Sequence, residues 1–237
     1  MRIVQGVGRG VWAGLLTVAP MGPFILIPAL LVPGRETVLP RAAILLGACT
    51  MAVIVGKVAM ALFRPASLAV RARPMVAGKA ARQPLIDAIG LVGFLAYLMA
   101  WFAFLSLDAG WLRLLPPPPA WAMVAGLAAL IAGNAVTTLA VWQNAFAAPA
   151  IEAQAGQHVV DTGLYGVVRH PLYAGNLLFY VGCALWMGSL AALAGVAVIL
   201  AATLARVGIE ERFLRTILPD YEVYARRVRA RLIPFVI

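Results

Sequence analysis

The segment Arg169–Glu211, RHPLYAGNLLFYVGCALWMGSLAALAGVAVILAATLARVGIEE, sets the topology of the chain. It opens on a charged residue, a histidine and a proline, then runs apolar from Leu172 to Met187. It breaks at Gly188-Ser189, runs apolar again from Leu190 to Ala205, and closes on Arg206 and Glu210-Glu211. A proline in the first turn of a helix forfeits no hydrogen bond, so Pro171 marks a helix start. Glycine followed by serine ends one helix and caps the next. Each apolar half is about sixteen residues, slightly short for a bilayer crossing. The reading is a helical hairpin that goes out and returns. It brings Arg206, Glu210 and Glu211 back to the face that carries Arg169 and His170.

The rest of the chain fits a membrane setting. Of the 237 residues, 63% are apolar and 12% charged, against about half and about a quarter in a soluble domain. Four further apolar runs precede the hairpin, over residues 10–32, 41–63, 85–107 and 120–146. They lack the alternation of a barrel strand, and helices satisfy their own backbone in lipid. The fold class expected is all-α: a polytopic helical membrane protein with about four spans, a C-terminal helical hairpin and a cytoplasmic amphipathic tail helix. Pro20, Pro23 and Pro28 should kink or partly break the first span. Asn134, Thr137, Thr138, Gln143 and Asn144 crowd the second half of the fourth; polar groups facing lipid are costly, so they should face other helices or a cavity.

Charge orients the spans. The formal net charge is +10, but no basic face is interleaved with aromatics, so nucleic acid is excluded as a partner. Loop 64–84 carries Arg64, Arg71, Arg73, Lys79 and Arg82 and no acid, which makes it cytoplasmic by the positive-inside rule. Arg35, Arg41 and Arg113 are left for the opposite side, and anionic lipid headgroups are the expected partners of the basic segments. Residues 108–119 form the tight external link, with a stiff Pro116–Pro119 turn and an aromatic belt of Trp101, Trp111 and Trp121. In the tail, residues 220–232, Tyr221, Tyr224 and Val228 share one helical face among arginines, as in an interfacial helix. Arg2 and Arg9 precede an apolar run with no small-residue cleavage site, so a retained first span is expected. Cys49 and Cys183 sit inside apolar runs and read as buried small hydrophobes. No metal site is expected from two histidines. The chain reads as a single membrane domain, 1–237, with 1–145 as anchor and substrate-side helices and 146–237 as the half that carries the chemistry.

Two walls of that half hold the candidate residues. Arg206 and Glu210 lie one turn apart on a shared helix face, and Glu211 turns away by about 100°. By itself this is an ordinary helix-surface ion pair. Opposite stand a turn at Thr162–Tyr165 and the helix start at Arg169–Pro171. A helix N-terminus attracts a carboxylate, and Tyr165, His170 and Tyr173 offer flat faces suited to an adenine or a sulfonium cation. The plain alternative is a juxtamembrane turn with interfacial tyrosines and a basic anchor.

Together, Arg169-His170-Pro171-Leu172-Tyr173-Ala174-Gly175, the apolar hairpin, Arg206, Glu210-Glu211, Tyr221, Tyr224 and Arg227-Val228 resemble the C-terminal half of the isoprenylcysteine carboxyl methyltransferases and the broader phospholipid N-methyltransferase group. The resemblance covers roughly residues 145–237 and, more weakly, loop 64–84. It implies a membrane-embedded S-adenosylmethionine-dependent methyltransferase without a dinucleotide-binding domain, and no glycine-rich fingerprint follows a strand here. It assigns cofactor binding to Gln157, His158, Val159, Val160, Tyr165, His170, Pro171, Leu172 and Tyr173. Glu210 would take the cofactor's polar end, Glu211 completes the acidic pair and is counted with the cofactor-binding residues, and Arg206 contacts the acceptor, so Arg206 and Glu210 form the catalytic pair. Eukaryotic members often carry histidine where Gln157 stands, which leaves the role of His158 open. The implied acceptor is lipophilic and enters from the bilayer. A carboxylate is the first choice and a membrane amine the second. A non-catalytic lipid-binding module and a transporter are the readings from other classes, and the chain has no internal repeats to support the latter. The expected location is a bacterial inner membrane, with the site facing the cytoplasm.

Overall fold

The chain enters through α1 (Arg2–Val18) and α2 (Met21–Leu31), which meet at 50° across Ala19-Pro20. The computed structural model describes residues 2–64, 85–147 and 153–234, and all regular structure among them is helical. The expected broken first span is present, although its first helix starts at Arg2 rather than near residue 10. Next comes α3 (Arg35–Phe63), which begins before the expected Arg41 and takes Pro40 into its second turn. Apart from Arg64, the basic loop lies outside the described residues.

The third apolar run forms α4 (Leu85–Leu107), with the boundaries its hydrophobicity implies. It does not stop there. A π-helical turn, Asp108–Leu112, continues it, and Arg113 closes it in the left-handed region at φ 48°. The link expected to be external therefore shortens to 113–119. The cause is Asp108, which is 1% exposed and finds its donors inside. The Ser189 hydroxyl donates to one carboxylate oxygen at 2.6 Å and the Leu114 N–H to the other at 3.0 Å. Trp101 also departs from expectation. It is buried, not in an interfacial belt, and its indole N–H donates to the Ala192 carbonyl at 3.0 Å, while Trp111 and Trp121 stay exposed.

After the proline run, α5 (Ala120–Gln143) packs against α6 (Pro171–Met187) more intimately than any other helix pair among the described residues. Small residues are why. Gly126, Gly133 and Thr137 of α5 face Gly175 and Gly182 of α6. A Cβ on Gly133 would stand 2.5 Å from the Phe179 nitrogen, one on Gly126 2.6 Å from Leu185 Cβ, and one on Gly175 2.6 Å from Thr137 Oγ1. Lipid tails are as apolar as the helices, so association rests on close backbone approach and interhelical hydrogen bonds. Thr137 supplies one, donating to Asn176 Oδ1 at 3.2 Å. The polar half of the fourth span thus faces its neighbours, as expected.

Gly188, in the left-handed region at φ 85°, ends α6, and α7 (Ala192–Ile217) returns. The Ser189 hydroxyl accepts the Ala192 N–H at 3.2 Å, so the Gly-Ser pair ends one helix and starts the next. By length and composition α3, the segment Val92–Leu112 formed by α4 and its π-helical turn, α5 and α7 can each cross a membrane, and the α1–α2 pair can supply a fifth crossing. The protein is an integral multi-pass membrane protein. Cys49 and Cys183 are buried in the main core with Leu45, Leu105, Leu130 and Met187.

The tail differs most from expectation. α8 (Tyr221–Arg227) ends at Arg227 instead of continuing to Leu232. Beyond it the chain doubles back: the Arg169 N–H donates to the Ala230 carbonyl and the His170 N–H to the Arg231 carbonyl, both at 2.9 Å. Tyr221, Tyr224 and Val228 are buried against Val159, Leu214 and Ile217. Their apolar face is consumed inside the protein and is not left for lipid.

Candidate active site

At the end of the hairpin where α6 starts and α7 finishes, four segments enclose a cleft. Gln157, His158, Val159 and Val160 form one side, Tyr165 the turn, His170, Leu172 and Tyr173 the start of α6, and Glu210, Leu214 and Leu218 the end of α7. Tyr221 and Tyr224 close it from the tail, with Asn144 and Phe146 at the rim. The space is about 700 Å³, counting the part open to solvent.

Glu211 anchors the back wall and is 1% exposed. Arg169 Nε donates to its Oε1 at 2.8 Å, and His170 Nε2 lies 3.2 Å from the same oxygen. An ionised carboxylate only accepts, so His170 carries its proton on Nε2. The other oxygen faces Arg231 at 3.6 Å and Arg215 at 3.9 Å. Arg169 also reaches the tail, donating through Nη1 to the carbonyls of Ala225 at 3.0 Å and Val228 at 3.1 Å. One carboxylate therefore joins α7, the start of α6 and the returning tail. Removing a single partner from such a buried set strands the other charges.

The front edge is separate. The Tyr173 hydroxyl donates to Glu210 Oε2 at 2.8 Å and accepts from Arg206 Nε at 2.9 Å. The 100° between consecutive helix positions puts Glu210 on the cleft and Glu211 behind it. Arg206 borders the cleft through Tyr173, one helical turn toward the membrane side, about 6 Å along the axis.

The turn wall is held by α5. Gln143 Oε1 accepts the Leu164 N–H at 2.9 Å. Gly163 has φ 60°, and a Cβ there would sit 2.6 Å from the Gln143 amide, so glycine meets both demands. The Tyr224 hydroxyl donates to the Tyr165 carbonyl at 2.8 Å, and Arg227 pairs with Asp161. The His158 ring stands edge-on to Phe146, centroids 5.0 Å apart.

Of the residues singled out from sequence, Gln157, His158, Val159, Val160, Tyr165, His170, Leu172, Tyr173 and Glu210 line this one cleft. Pro171, Arg206 and Glu211 do not: Pro171 is buried at the first turn of α6, Arg206 reaches the lining only through the Tyr173 hydroxyl, and Glu211 is buried behind it. Sequence reasoning missed Asn144, Phe146, Tyr221 and Tyr224 as lining. The Tyr221–Tyr224 spacing was visible but read as a lipid-facing stripe. Burial pushes both phenols above their ordinary range, so they remain neutral donors. Tyr224 has a partner. The Tyr221 hydroxyl, in a residue only 3% exposed, has none among the described residues.

Fold and site thus define a multi-pass helical membrane protein with an aromatic, carboxylate-edged cleft at one end of a helical hairpin. Residues 121–220 match the family model described as phospholipid methyltransferase. The matched stretch is under half of the chain and contains the α5–α6 seam, the hairpin and both walls of the cleft. A cobalt-zinc-cadmium resistance protein, CzcN, of Cupriavidus metallidurans is 37% identical over 81 residues, which is 34% of this chain and 38% of that protein. The match therefore spans well under half of that relative's length.

Proposed function

We propose that the protein is an S-adenosylmethionine-dependent methyltransferase of a bacterial inner membrane, with its cleft toward the cytoplasm and a lipophilic acceptor drawn from the bilayer. The observation that carries this reading is the Glu210–Tyr173–Arg206 chain along one edge of an aromatic cleft, inside the stretch that matches the family.

The residues present fit the cofactor. A buried tyrosine hydroxyl without a partner is costly unless something bonds it, and Tyr221, a residue of the cleft lining, carries one. Glu210 would hold the ammonium of the methionine portion, the rings of Tyr165, His170 and Tyr173 would pack against the purine and the sulfonium, and Gln157–Val160 would close the outer side. When bound, the cofactor supplies a methyl group already activated on sulfur. Pro171 shapes the start of α6, and Glu211 acts at one remove, holding Arg169 and His170 in place as a positioning residue.

Arg206 is assigned to the acceptor. A guanidinium grips a carboxylate in fixed geometry, and Arg206 lies on the membrane side of Glu210, where a lipophilic molecule with a polar end would stop. A carboxylate is a nucleophile as it stands, so the chain need only align the reactants and exclude water. The second reading is a membrane amine. It is favoured by the family description, which names phospholipids, and by Glu210, which can accept an ammonium proton. Arg206 would then hold the lipid phosphate. Product chemistry separates the two, since a methyl ester is base-labile and an N-methyl group is not.

The test is calorimetric titration of S-adenosylmethionine into detergent-purified protein. Saturable binding is expected, abolished in His170→Ala and weakened about tenfold or more in Glu210→Gln, the equivalent of one charge-assisted hydrogen bond. No binding by well-folded wild type would discard the methyltransferase reading and favour a non-catalytic lipid-binding module.

A further inference from the structure

Behind the back wall lies a second concavity that the methyltransferase reading does not use. Arg169, Arg215, Arg226, Arg229 and Arg231 line a bowl of about 700 Å³, counting the part open to solvent, with Glu222 as the one carboxylate in its lining. Glu222 pairs with Arg215 at 2.9 Å. Glu211, beneath the bowl, is divided among Arg169, Arg215 and Arg231. Arg226 and Arg229 are exposed and make no ion pair or hydrogen bond among the described residues. Five guanidinium groups thus share two carboxylates around one space, and like charges held that close are unfavourable unless an anion joins them. The bowl also lies at the end of α7, a helix long and apolar enough to span a membrane, and basic groups flanking such a helix attract anionic headgroups. S-adenosylmethionine carries no phosphate, so the cofactor does not account for these arginines.

We propose that this arginine bowl is a phosphate-binding site, which takes the headgroup phosphate of an anionic membrane lipid or a free phosphate compound. Planar guanidinium groups match phosphate oxygens two at a time. Arg169 borders both the bowl and the cleft, so a bound phosphate braces the wall that carries His170 and Glu211. The proposal does not rest on the methyltransferase reading, and its test measures binding with no methyl transfer.

The experiment uses the full chain in neutral detergent and two probes, phosphatidylglycerol in mixed micelles and inorganic pyrophosphate, each titrated by calorimetry. Phosphatidylcholine micelles are the neutral control. Two double variants are compared, Arg226→Gln with Arg229→Gln in the bowl, and Arg212→Gln with Arg64→Gln at exposed positions outside it. Wild type is expected to bind phosphatidylglycerol and not phosphatidylcholine. The bowl variant should lose about tenfold or more, at roughly one kcal/mol per basic residue near an anionic surface, and the outside variant less than twofold. Thermal melts confirm that both variants are folded. Pyrophosphate that binds alone and displaces the lipid identifies phosphate itself as the ligand, whereas binding of the lipid only identifies the headgroup. Equal loss in the two double variants would reduce the effect to diffuse charge and overturn the proposal, as would failure of both probes to bind wild type.

Discussion

Each end of the α6–α7 hairpin buries one carboxylate, and the two are treated differently. At the loop end, Asp108 is held by a serine hydroxyl and a backbone N–H. At the open end, Glu211 is held by an arginine and a histidine within 3.2 Å and two more arginines within 3.9 Å. Both are 1% exposed. Neutral donors make a knot that ties α4 to the hairpin loop and leads nowhere else. Cations bring their own chain segments with them, so the Glu211 cluster gathers α6, α7 and the tail around a cleft. The difference shows why burial alone does not mark a functional acid. What distinguishes Glu211 is what its partners also touch.

Glu211→Ala has the largest expected effect, and it falls on the open end. It leaves Arg169 and His170 buried without their anion, which costs about 3–5 kcal/mol. Melting in detergent should drop accordingly, and cofactor binding should vanish with the wall. A melt near wild type with binding intact would show that the cluster does not organise the cleft. The next effect lies between the two ends. Gly182→Val would drive a side chain into the backbone of α5 at Leu130, and overpacking of this kind costs about 1–3 kcal/mol. Because the seam carries both ends, this variant should lower stability and weaken binding together. At the loop end, Asp108→Ala strands the Ser189 hydroxyl and the Leu114 N–H, at about 1–3 kcal/mol in stability. Binding at the other end should stay within twofold of wild type. A large loss of binding in Asp108→Ala would mean that the two ends are coupled after all.

Much of this architecture is legible in the residues. Apolar run lengths locate the helices, most closely in Leu85–Leu107, and Gly188-Ser189 identifies the hairpin. The hairpin then forces Glu210 and Glu211 back beside His170, so the existence of the site follows from topology and helix periodicity. What could not be read depends on partners far away in sequence. The π-helical turn at Asp108 is stabilised by Ser189, 81 residues on. The tail helix stops at Arg227 because the following residues bond to Arg169 and His170, contacts that no local propensity encodes. Tyr221 and Tyr224 misled for a related reason. An apolar face at helical spacing looks the same whether it meets lipid or protein, and only the fold decides between them.

The smallest expected effect on stability is the most telling for the site. Tyr221→Phe removes a hydroxyl that is buried and has no partner among the described residues. In the ligand-free protein nothing is lost with it, and shedding an unsatisfied polar group should leave the melt unchanged or raise it slightly, by less than about 1 kcal/mol. On the proposed function the bound cofactor takes that hydroxyl as a donor, so S-adenosylmethionine should bind Tyr221→Phe about fivefold to tenfold more weakly, the equivalent of one hydrogen bond of about 1–1.5 kcal/mol. Stability and binding would then move in opposite directions in one variant, which neither a core tyrosine nor a general loosening of the tail can produce. Tyr224→Phe is the internal control: its hydroxyl is committed to the Tyr165 carbonyl, so it should lose stability first and affinity only through the displaced turn. If Tyr221→Phe instead destabilises the ligand-free protein as much as Tyr224→Phe does and leaves affinity unchanged, its hydroxyl does not serve the cleft, and the fit to the cofactor loses its most direct support.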